Sequence, residues 1–163
     1  MQNLNLTDIA KFVVGCPPAA LTSTAGDGDY VSLKNFDRCT VILAVDNATT
    51  VTGGTITLKQ ATAVAGTSEK ALAFSKMWAN TDVGAGDTLT ETAVTSDTFV
   101  TSTTNDKNLL YVMEVKASDL DGANGFDCLR IDSTGMANAV GAVVYVLHGS
   151  RYANPLAVAA ITD

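Results

Sequence analysis

The chain has 163 residues and a formal net charge of -7; 47% of its residues are hydrophobic and only 17% are charged. This length suffices for one domain with its own core, and the composition excludes an intrinsically disordered chain. The negative charge disfavours nucleic acid and anionic membranes as partners, because both would repel it. Glu is scarce while β-branched Thr and Val are abundant, which favours strands over helices.

Three cysteines, Cys16, Cys39 and Cys128, are widely spaced and form no Cys-x-x-Cys pair. This spacing predicts reduced, buried thiols in a protein that folds in a cytoplasm. No apolar stretch reaches the roughly 18–20 residues of a membrane helix. The amino terminus also lacks the basic start and apolar middle of a signal peptide. The sequence therefore predicts a soluble chain without an export signal.

Residues 1–28 are predicted to form an amino-terminal arm. Asn5 and the residues after it could cap a short helix through Ile9–Val14, and the same apolar run could equally lie as an extended edge segment. Pro17 and Pro18 then impose extended backbone and cannot donate to a strand ladder. The alternative to a free arm is that this segment folds back as a strand of the domain that follows.

From Tyr30 onward, apolar residues alternate with polar ones or form short apolar runs, and both patterns are typical of strands. A turn at 95–96 is expected to separate two Thr-rich strands, and a single helical turn or tight loop is expected at 118–121. The predicted strands, in chain order, are Tyr30–Leu33, Cys39–Val45, Thr55–Lys59, Ala71–Trp78, Thr88–Val94, Asp97–Thr101, Leu109–Lys116, Phe126–Asp132 and Val140–Leu147.

This order of elements predicts an all-β protein. Many short strands at regular spacing, with few helical segments between them, are typical of a single antiparallel β-sandwich, of which the jelly roll is one form. The run from Cys39 to Val45 is apolar at nearly every position, as expected for a strand covered on both faces or central in a sandwich. The predicted organisation is an arm at 1–28, the sandwich at 29–150 and a second arm at 151–163.

The sequence offers few groups for catalysis. Its single histidine, His148, lies at the end of a predicted strand without a Gly-x-Ser-x-Gly elbow, so we interpret it as a surface or structural histidine. The segment Asp119–Asp127 superficially resembles a calcium loop. It places Ala123, Asn124 and Arg130 where an EF-hand needs an oxygen ligand, a glycine and a glutamate. We therefore expect no enzyme activity, no cofactor and no metal.

Six stretches of the sequence are informative together: Asp29–Cys39, Lys59–Thr67, Lys70–Phe74 and Gly125–Arg130, followed by Ala142–Leu147 and Gly149–Tyr152. The first four resemble a family of small virion proteins of tailed bacteriophages, and with the last two the likeness extends over most of the chain from 29 to 152. The resemblance implies a virion structural component, a head decoration (cement) protein that assembles in the host cytoplasm. It further implies the major capsid protein as partner and a homo-oligomer, for which a trimer is favoured.

The two predicted arms supply the candidate contacts with the capsid protein or with neighbouring subunits. Apolar side chains left exposed on an arm would form a surface that monomers seldom tolerate, so we expect them to be covered in an assembly. The candidate residues are Leu4, Leu6, Ile9, Phe12, Val13, Leu156, Val158 and Ile161.

Two other functions remain open at this point. A tail tube or head–tail connector protein would fit the same virion, and a tube subunit would need a long hairpin, for which 88–104 is the only candidate. A carbohydrate-binding sandwich would need exposed aromatic side chains, whereas most aromatic residues here occupy core positions of predicted strands. Copy number per virion would separate a decoration protein from a connector.

Overall fold

Two antiparallel sheets face each other in this computed structural model, which describes residues 5–22, 28–151 and 159–161. The predicted all-β sandwich is confirmed, and no helix in the described part is long and apolar enough to cross a membrane. One α-helix, α1 (Leu6–Ile9), precedes the strands, and 3-10 turns lie at Ala117–Asp119 and Gly122–Asn124. The strands are β1 (Ala10–Ala20), β2 (Val31–Ser32), β3 (Phe36–Asn47), β4 (Thr55–Ala61), β5 (Lys70–Ala71), β6 (Lys76–Asn80), β7 (Thr90–Ala93), β8 (Thr98–Val100), β9 (Lys107–Lys116), β10 (Cys128–Thr134) and β11 (Ala139–Ser150).

The six-stranded sheet has the order β1-β11-β3-β9-β6-β7, and the five-stranded sheet has the order β2-β10-β4-β5 with β8 also paired to β4. Long strands form the centre of the larger sheet, where Ile42 on β3 lies opposite Val144 on β11 and Val112 on β9. Every strand pair in the described residues is antiparallel, although most pairs join strands that are far apart in the sequence.

The core lies between the sheets and is built by alternation along each strand. Over 39–47 of β3, 109–115 of β9 and 139–147 of β11 the odd-numbered residues point inward and are buried, whereas the even-numbered ones point outward. The largest fully buried side chains are Tyr111, Tyr145, Phe36, Leu21, Leu33, Leu43, Ile56, Leu58, Leu109, Met113, Leu129 and Ile131.

Tyr145 connects the two sheets with a hydrogen bond. Its ring is fully buried on β11, and its hydroxyl oxygen accepts a bond from the backbone N–H of Ile131 on β10 at 3.0 Å. Gly15 on β1 lies against the same ring, and a Cβ there would stand 2.1 Å from Tyr145 Cε2. A side chain at position 15 would therefore displace the ring, so the close approach of β1 requires glycine.

The amino-terminal segment is not a detached arm between residues 10 and 20. β1 pairs with β11 along its length, and Val13 and Cys16 are buried in the core. Pro17 and Pro18 fit because the register shifts between Cys16 and Ala19, and a bulge on an edge strand needs no ladder donor at these positions. The alternative in which the segment folds back as a strand is the observed one.

The end of the chain also contacts its own sandwich. Ala160 is buried, and its carbonyl accepts a hydrogen bond from the Ser32 backbone N–H at 2.6 Å, beside the short edge strand β2. Arg151 donates to the Asp37 carboxylate at 3.2 Å where the chain leaves β11. In the described residues, the predicted carboxyl-terminal arm is thus anchored at 151 and at 159–161.

One predicted strand and one candidate hairpin differ from the observed structure. The Ala71–Trp78 prediction is wrong, because β5 pairs in the smaller sheet and β6 in the larger one. The chain crosses between the sheets after buried Leu72 and half-buried Phe74. The alternation shifts by one residue there, because Ser75 and Lys76 are both exposed before buried Met77. The stretch 88–104 crosses in the same way between β7 and β8, so it does not form the long hairpin that a tail tube subunit would need.

The three cysteines are buried and form no disulfide, as the sequence predicts. Cys39 lies on β3 and Cys128 on β10, in opposite sheets, while Cys16 lies at the bulge of β1. Burial raises the pKa of the Cys39 thiol, because a thiolate would lose its hydration in the core. The thiols therefore act as small apolar side chains in the folded protein.

Candidate functional site

The two outer faces of the sandwich differ in chemistry. The outer face of the five-stranded sheet carries a cluster of five paired polar side chains, Tyr30, Lys59, Glu69, Arg130 and Asp132. The outer face of the six-stranded sheet is mostly apolar. A water-facing sheet normally alternates apolar and polar residues, so the second face is the unusual one.

The charged groups of the polar cluster pair with one another, and Arg130 Nε is buried without a hydrogen-bond partner among the described residues. The Glu69 carboxylate accepts hydrogen bonds from Lys59 Nζ and from the Tyr30 hydroxyl, both at 2.7 Å, and Arg130 lies 3.1 Å from it. Lys59 also pairs with Asp132. The Lys59 and Tyr30 bonds hold the pKa of Glu69 below its usual value, while burial and the bond to Glu69 raise that of Tyr30. Balanced charges of this kind fix the local structure.

We define the apolar face as the outward side chains of five neighbouring strands, from β1 to β6. Three of them are well exposed: Phe12 at 46%, Val14 at 58% and Val140 at 48%. The others are half-buried among their neighbours, except Ala44, which is exposed. The apolar face consists of Phe12, Val14, Ile42, Ala44, Trp78, Leu110, Val112, Val140, Ala142, Val144 and Val146.

Strand register places these side chains in rows across the sheet. The central row runs through Val14, Val144, Ile42, Val112 and Trp78, with each residue directly opposite the next. Side chains opposite each other on one face lie about 4.5–5.5 Å apart at their Cβ atoms, so the row is continuous apolar surface.

Charged residues lie at both ends of the apolar face and also within it. Arg38 and Lys116, which are opposite each other on β3 and β9, stand at one end, and Asp46 stands at the other end of β3. Glu114, opposite Thr40, is exposed on the same side of β9 between Val112 and Lys116. In the described part of the chain none of these four charged side chains forms an ion pair. His148 stands beside Arg38, and its Nε2 lies 3.2 Å from the Thr40 hydroxyl, consistent with a structural histidine.

A short exposed helix, α1, precedes β1. The Asn5 backbone N–H donates to the Asp8 carboxylate at 2.9 Å, which caps the single turn. No residue of α1 is buried, and its apolar side chains Leu6 and Ile9 are 57% and 46% exposed. The turn therefore presents apolar surface without belonging to the core.

The predicted contact residues fall into three groups. Leu4, Leu156 and Val158 lie outside the described residues. Leu6, Ile9, Phe12 and Ile161 are exposed, so they remain available for contact. Val13 is 8% exposed and packs in the core, because residues on a strand alternate and its neighbours Phe12 and Val14 point outward. The prediction of Val13 as a contact residue is therefore wrong.

Most of the apolar face was not predicted from the sequence. A signal was present in the run from Cys39 to Val45, which is apolar on both sides of the strand, and in the matching runs of β9 and β11. A strand that buries one side needs apolar residues only at alternate positions. Apolar residues at the remaining positions of three neighbouring strands predict a second apolar surface.

Aromatic side chains offer little open surface for stacking on a sugar. The side chains of Tyr111, Tyr145 and Phe36 are fully buried, and the half-buried ring of Trp78 is covered on one side by the Lys76 ammonium, 5.1 Å from its centroid. Phe12 is the exposed exception among the described aromatic residues. This arrangement agrees with the expectation that the aromatic residues mainly build the core.

The Asp-rich segment after β9 is a structural turn. The Asp121 carboxylate pairs with Lys70 and accepts a hydrogen bond from the Asn124 side chain, and Gly125 adopts a positive φ of 81°. The bonds from Lys70 and Asn124 lower the pKa of Asp121. Among the described residues, no group of three or more His, Cys, Asp and Glu side chains is placed to hold a metal ion.

Comparisons with known proteins give one structural likeness. Neither a protein-family model nor a curated protein matches this sequence. The solved structure of the SPBc2 prophage-derived protein YomS is similar over 85% of this chain and 91% of that chain, with a TM-score of 0.45 and 10% sequence identity. A likeness at that level carries no argument about function.

Proposed function

We propose that this chain is a non-enzymatic structural protein of a tailed-bacteriophage virion, which binds the capsid lattice and stabilises it as a head decoration or cement protein. Its partner is the major capsid protein, and it acts as a homo-oligomer after folding in the host cytoplasm. Support comes from the resemblance of several sequence stretches to a family of such virion components, and from where those stretches lie in the fold.

The observation that carries the proposal is that these stretches meet in space. Cys128 on β10 lies opposite both Ser32 on β2 and Ala61 on β4, which brings three of the stretches into one ladder. The fourth joins them because Lys70 pairs with Gln60 in the ladder and its ammonium lies 4.1 Å from the centroid of the Phe126 ring. Residues far apart in sequence thus form one contiguous part of the sandwich, which supports a resemblance of structure.

We place the lattice contact at α1. Leu6 and Ile9 are apolar, exposed and held by a capped turn at the edge of the sandwich. Covering an apolar side chain of this size stabilises a contact by about 1.5–3 kcal/mol before ordering costs. A contact this small is weak for one copy. A lattice partner that presents many equivalent sites to a symmetric oligomer overcomes that weakness.

Binding to heads tests the proposal. Purified protein is mixed with DNA-filled heads that lack it, and the bound copies are counted after sedimentation. We expect copies in proportion to the capsid subunits. A single ring of copies would instead indicate a head–tail connector, and binding to tails alone would indicate a tail protein.

A double variant tests the contact at α1. Leu6→Ser with Ile9→Ser removes apolar surface without touching the core, so we expect loss of head binding with an unchanged melting temperature. Val83→Ser is the matched control, because Val83 is 44% exposed and lies in the connection between β6 and β7. Equal binding by the double variant and the control would place the lattice contact elsewhere.

A further inference from the structure

The apolar face has no cover within the described chain. On β3, Val41 and Leu43 are buried against the five-stranded sheet, whereas Ile42 and Ala44 point to the other side, where no described element lies over them. A strand apolar at successive positions is typical of one that is covered on both faces. One side of β3 is covered within the described residues, and the other side is open to a partner.

We propose that the second cover is another copy of this chain, packed face to face through the apolar face about a two-fold axis. The axis runs in the interface along the central row, over Ile42, Val112 and Val144. This inference concerns the assembly of the protein itself, and it holds whether or not the protein binds a capsid.

The size of the face fits a stable dimer. Five strands about 4.8 Å apart, followed for eight residues of about 3.3 Å from Asp46 to Arg38, cover roughly 20 by 27 Å before side-chain width is added. With the outer side chains and the polar residues Arg38, Thr40, Asp46 and Glu114 included, the face approaches the ~800 Å² per partner of a standard specific interface.

The charges at its ends make the face complementary to itself. Ile42 lies midway between Arg38 and Asp46 on β3, so an axis across the strands at Ile42 brings the end with Arg38 of one copy over the end with Asp46 of the other. The contact occurs twice by symmetry. A two-fold axis parallel to the strands would instead bring the two basic ends together, which like charges oppose. Charge therefore selects one of the two possible pairings.

A second copy fits this face better than an unrelated partner does. Flat sheet faces pack on other sheet faces at about 10 Å, with side chains interdigitated and strands within about 30° of alignment. A second copy supplies such a face with the matching charge pattern. The opposite outer face cannot serve in the same way, because its charges are already paired with each other.

Mass in solution tests the proposal. Sedimentation equilibrium over a range of concentrations is expected to give twice the 16.8 kDa chain mass for the native sequence. Ile42→Lys brings two ammonium groups together at the axis and is expected to give the monomer mass. The control is Thr57→Lys, which adds the same charge at a half-buried, outward position of a central strand in the other sheet. Far-ultraviolet circular dichroism confirms that both variants are folded.

A charge-reversal set tests the orientation. Arg38→Glu or Asp46→Lys alone should each raise the dissociation constant by about tenfold, since two symmetry-related pairs are lost and replaced by like charges. The variant carrying both changes restores complementary ends and should return to the native value. Trp78, the single tryptophan, lies in the central row, so its emission should shift to the blue as the dimer forms.

Several results would overturn the proposal. The proposal is wrong if the native chain has the monomer mass at all concentrations. If Ile42→Lys then also loses head binding, the apolar face binds the capsid protein instead of a second copy. The proposal is also wrong if the native chain forms a trimer or larger assembly whose mass is the same in the Ile42→Lys variant. Failure of the double charge variant to recover affinity rejects this axis.

Discussion

Removing the Tyr145 hydroxyl should destabilise the sandwich more than its small size suggests. β2 is two residues long, and its pairing with β10 reaches only Cys128 and Leu129. The next inward residue of β10, Ile131, therefore has no neighbouring strand on the β2 side in the described part of the chain. Its carbonyl accepts a bond from Gly28 N–H at 2.9 Å, and its N–H is satisfied by the Tyr145 hydroxyl oxygen at 3.0 Å. Tyr145→Phe leaves that buried N–H without an acceptor.

The expected magnitude follows from burial. A buried donor that loses its acceptor costs about 1–3 kcal/mol, and we expect Tyr145→Phe to fall near 2 kcal/mol. Tyr111→Phe is the matched comparison. Tyr111 is also buried, but its hydroxyl oxygen accepts from Ser102 N–H at 2.8 Å, and Ser102 is partly exposed. Water can replace that acceptor, so Tyr111→Phe should cost about 1 kcal/mol or less.

Equilibrium unfolding in guanidinium measures both variants. The protein concentration must be the same in every sample, because a dimer couples stability to concentration. We expect unchanged m values, a lower midpoint for Tyr145→Phe, and a melting temperature lower by about 2–4 °C for each kcal/mol lost. Equal losses for the two variants, or a loss below about 0.5 kcal/mol for Tyr145→Phe, would refute the assignment of this hydrogen bond as the link that completes the edge of β10.

Three further predictions concern the core and its surroundings. Gly15→Ala should cost about 2 kcal/mol or more in urea unfolding, because its Cβ would overlap the ring packed on β1. Glu69→Gln should make the melting temperature fall less steeply between pH 7 and pH 3 than it does for the native protein. The carboxylate has a lowered pKa in the folded state, so its contribution is present above its unfolded pKa and is lost as the pH falls through the folded pKa. The three cysteines should react with a thiol reagent only after denaturation, giving three thiols per chain, and a value near one would indicate a disulfide.

Apolar runs allowed the sequence to predict the long strands but not their sheets. The predicted Leu109–Lys116 and Val140–Leu147 lie inside the observed β9 and β11. The break between β5 and β6 was missed because Trp78 continues the spacing of Leu72 and Phe74. In the structure the inward residue after the crossing is Met77, and Trp78 points outward.

The role of the amino-terminal segment depended on pairing, which the sequence does not show. Pro17 and Pro18 argued against a strand, since proline cannot donate to a ladder. β1 accommodates them by register shifts at the edge of the sheet, and the pairing of Val13 and Val14 with β11 compensates for the lost donors. Local propensity and tertiary pairing disagreed here, and pairing prevailed.

The proposed dimer and the proposed lattice contact together predict bivalent attachment. α1 lies beyond the end of β1 where Ala10 is opposite His148, and the two-fold axis across the strands carries the partner's α1 to the opposite end. One dimer would then present two exposed turns separated by roughly the 27 Å from Arg38 to Asp46 on β3, or more. Linked contacts of this kind can exceed single-site affinity by about 10²–10⁴. Ile42→Lys leaves Leu6 and Ile9 in place, so it should weaken head binding in titrations by a factor in that range, with occupancy recovered at high concentration. If the variant and the native protein bind heads at the same concentration, the two turns do not act together.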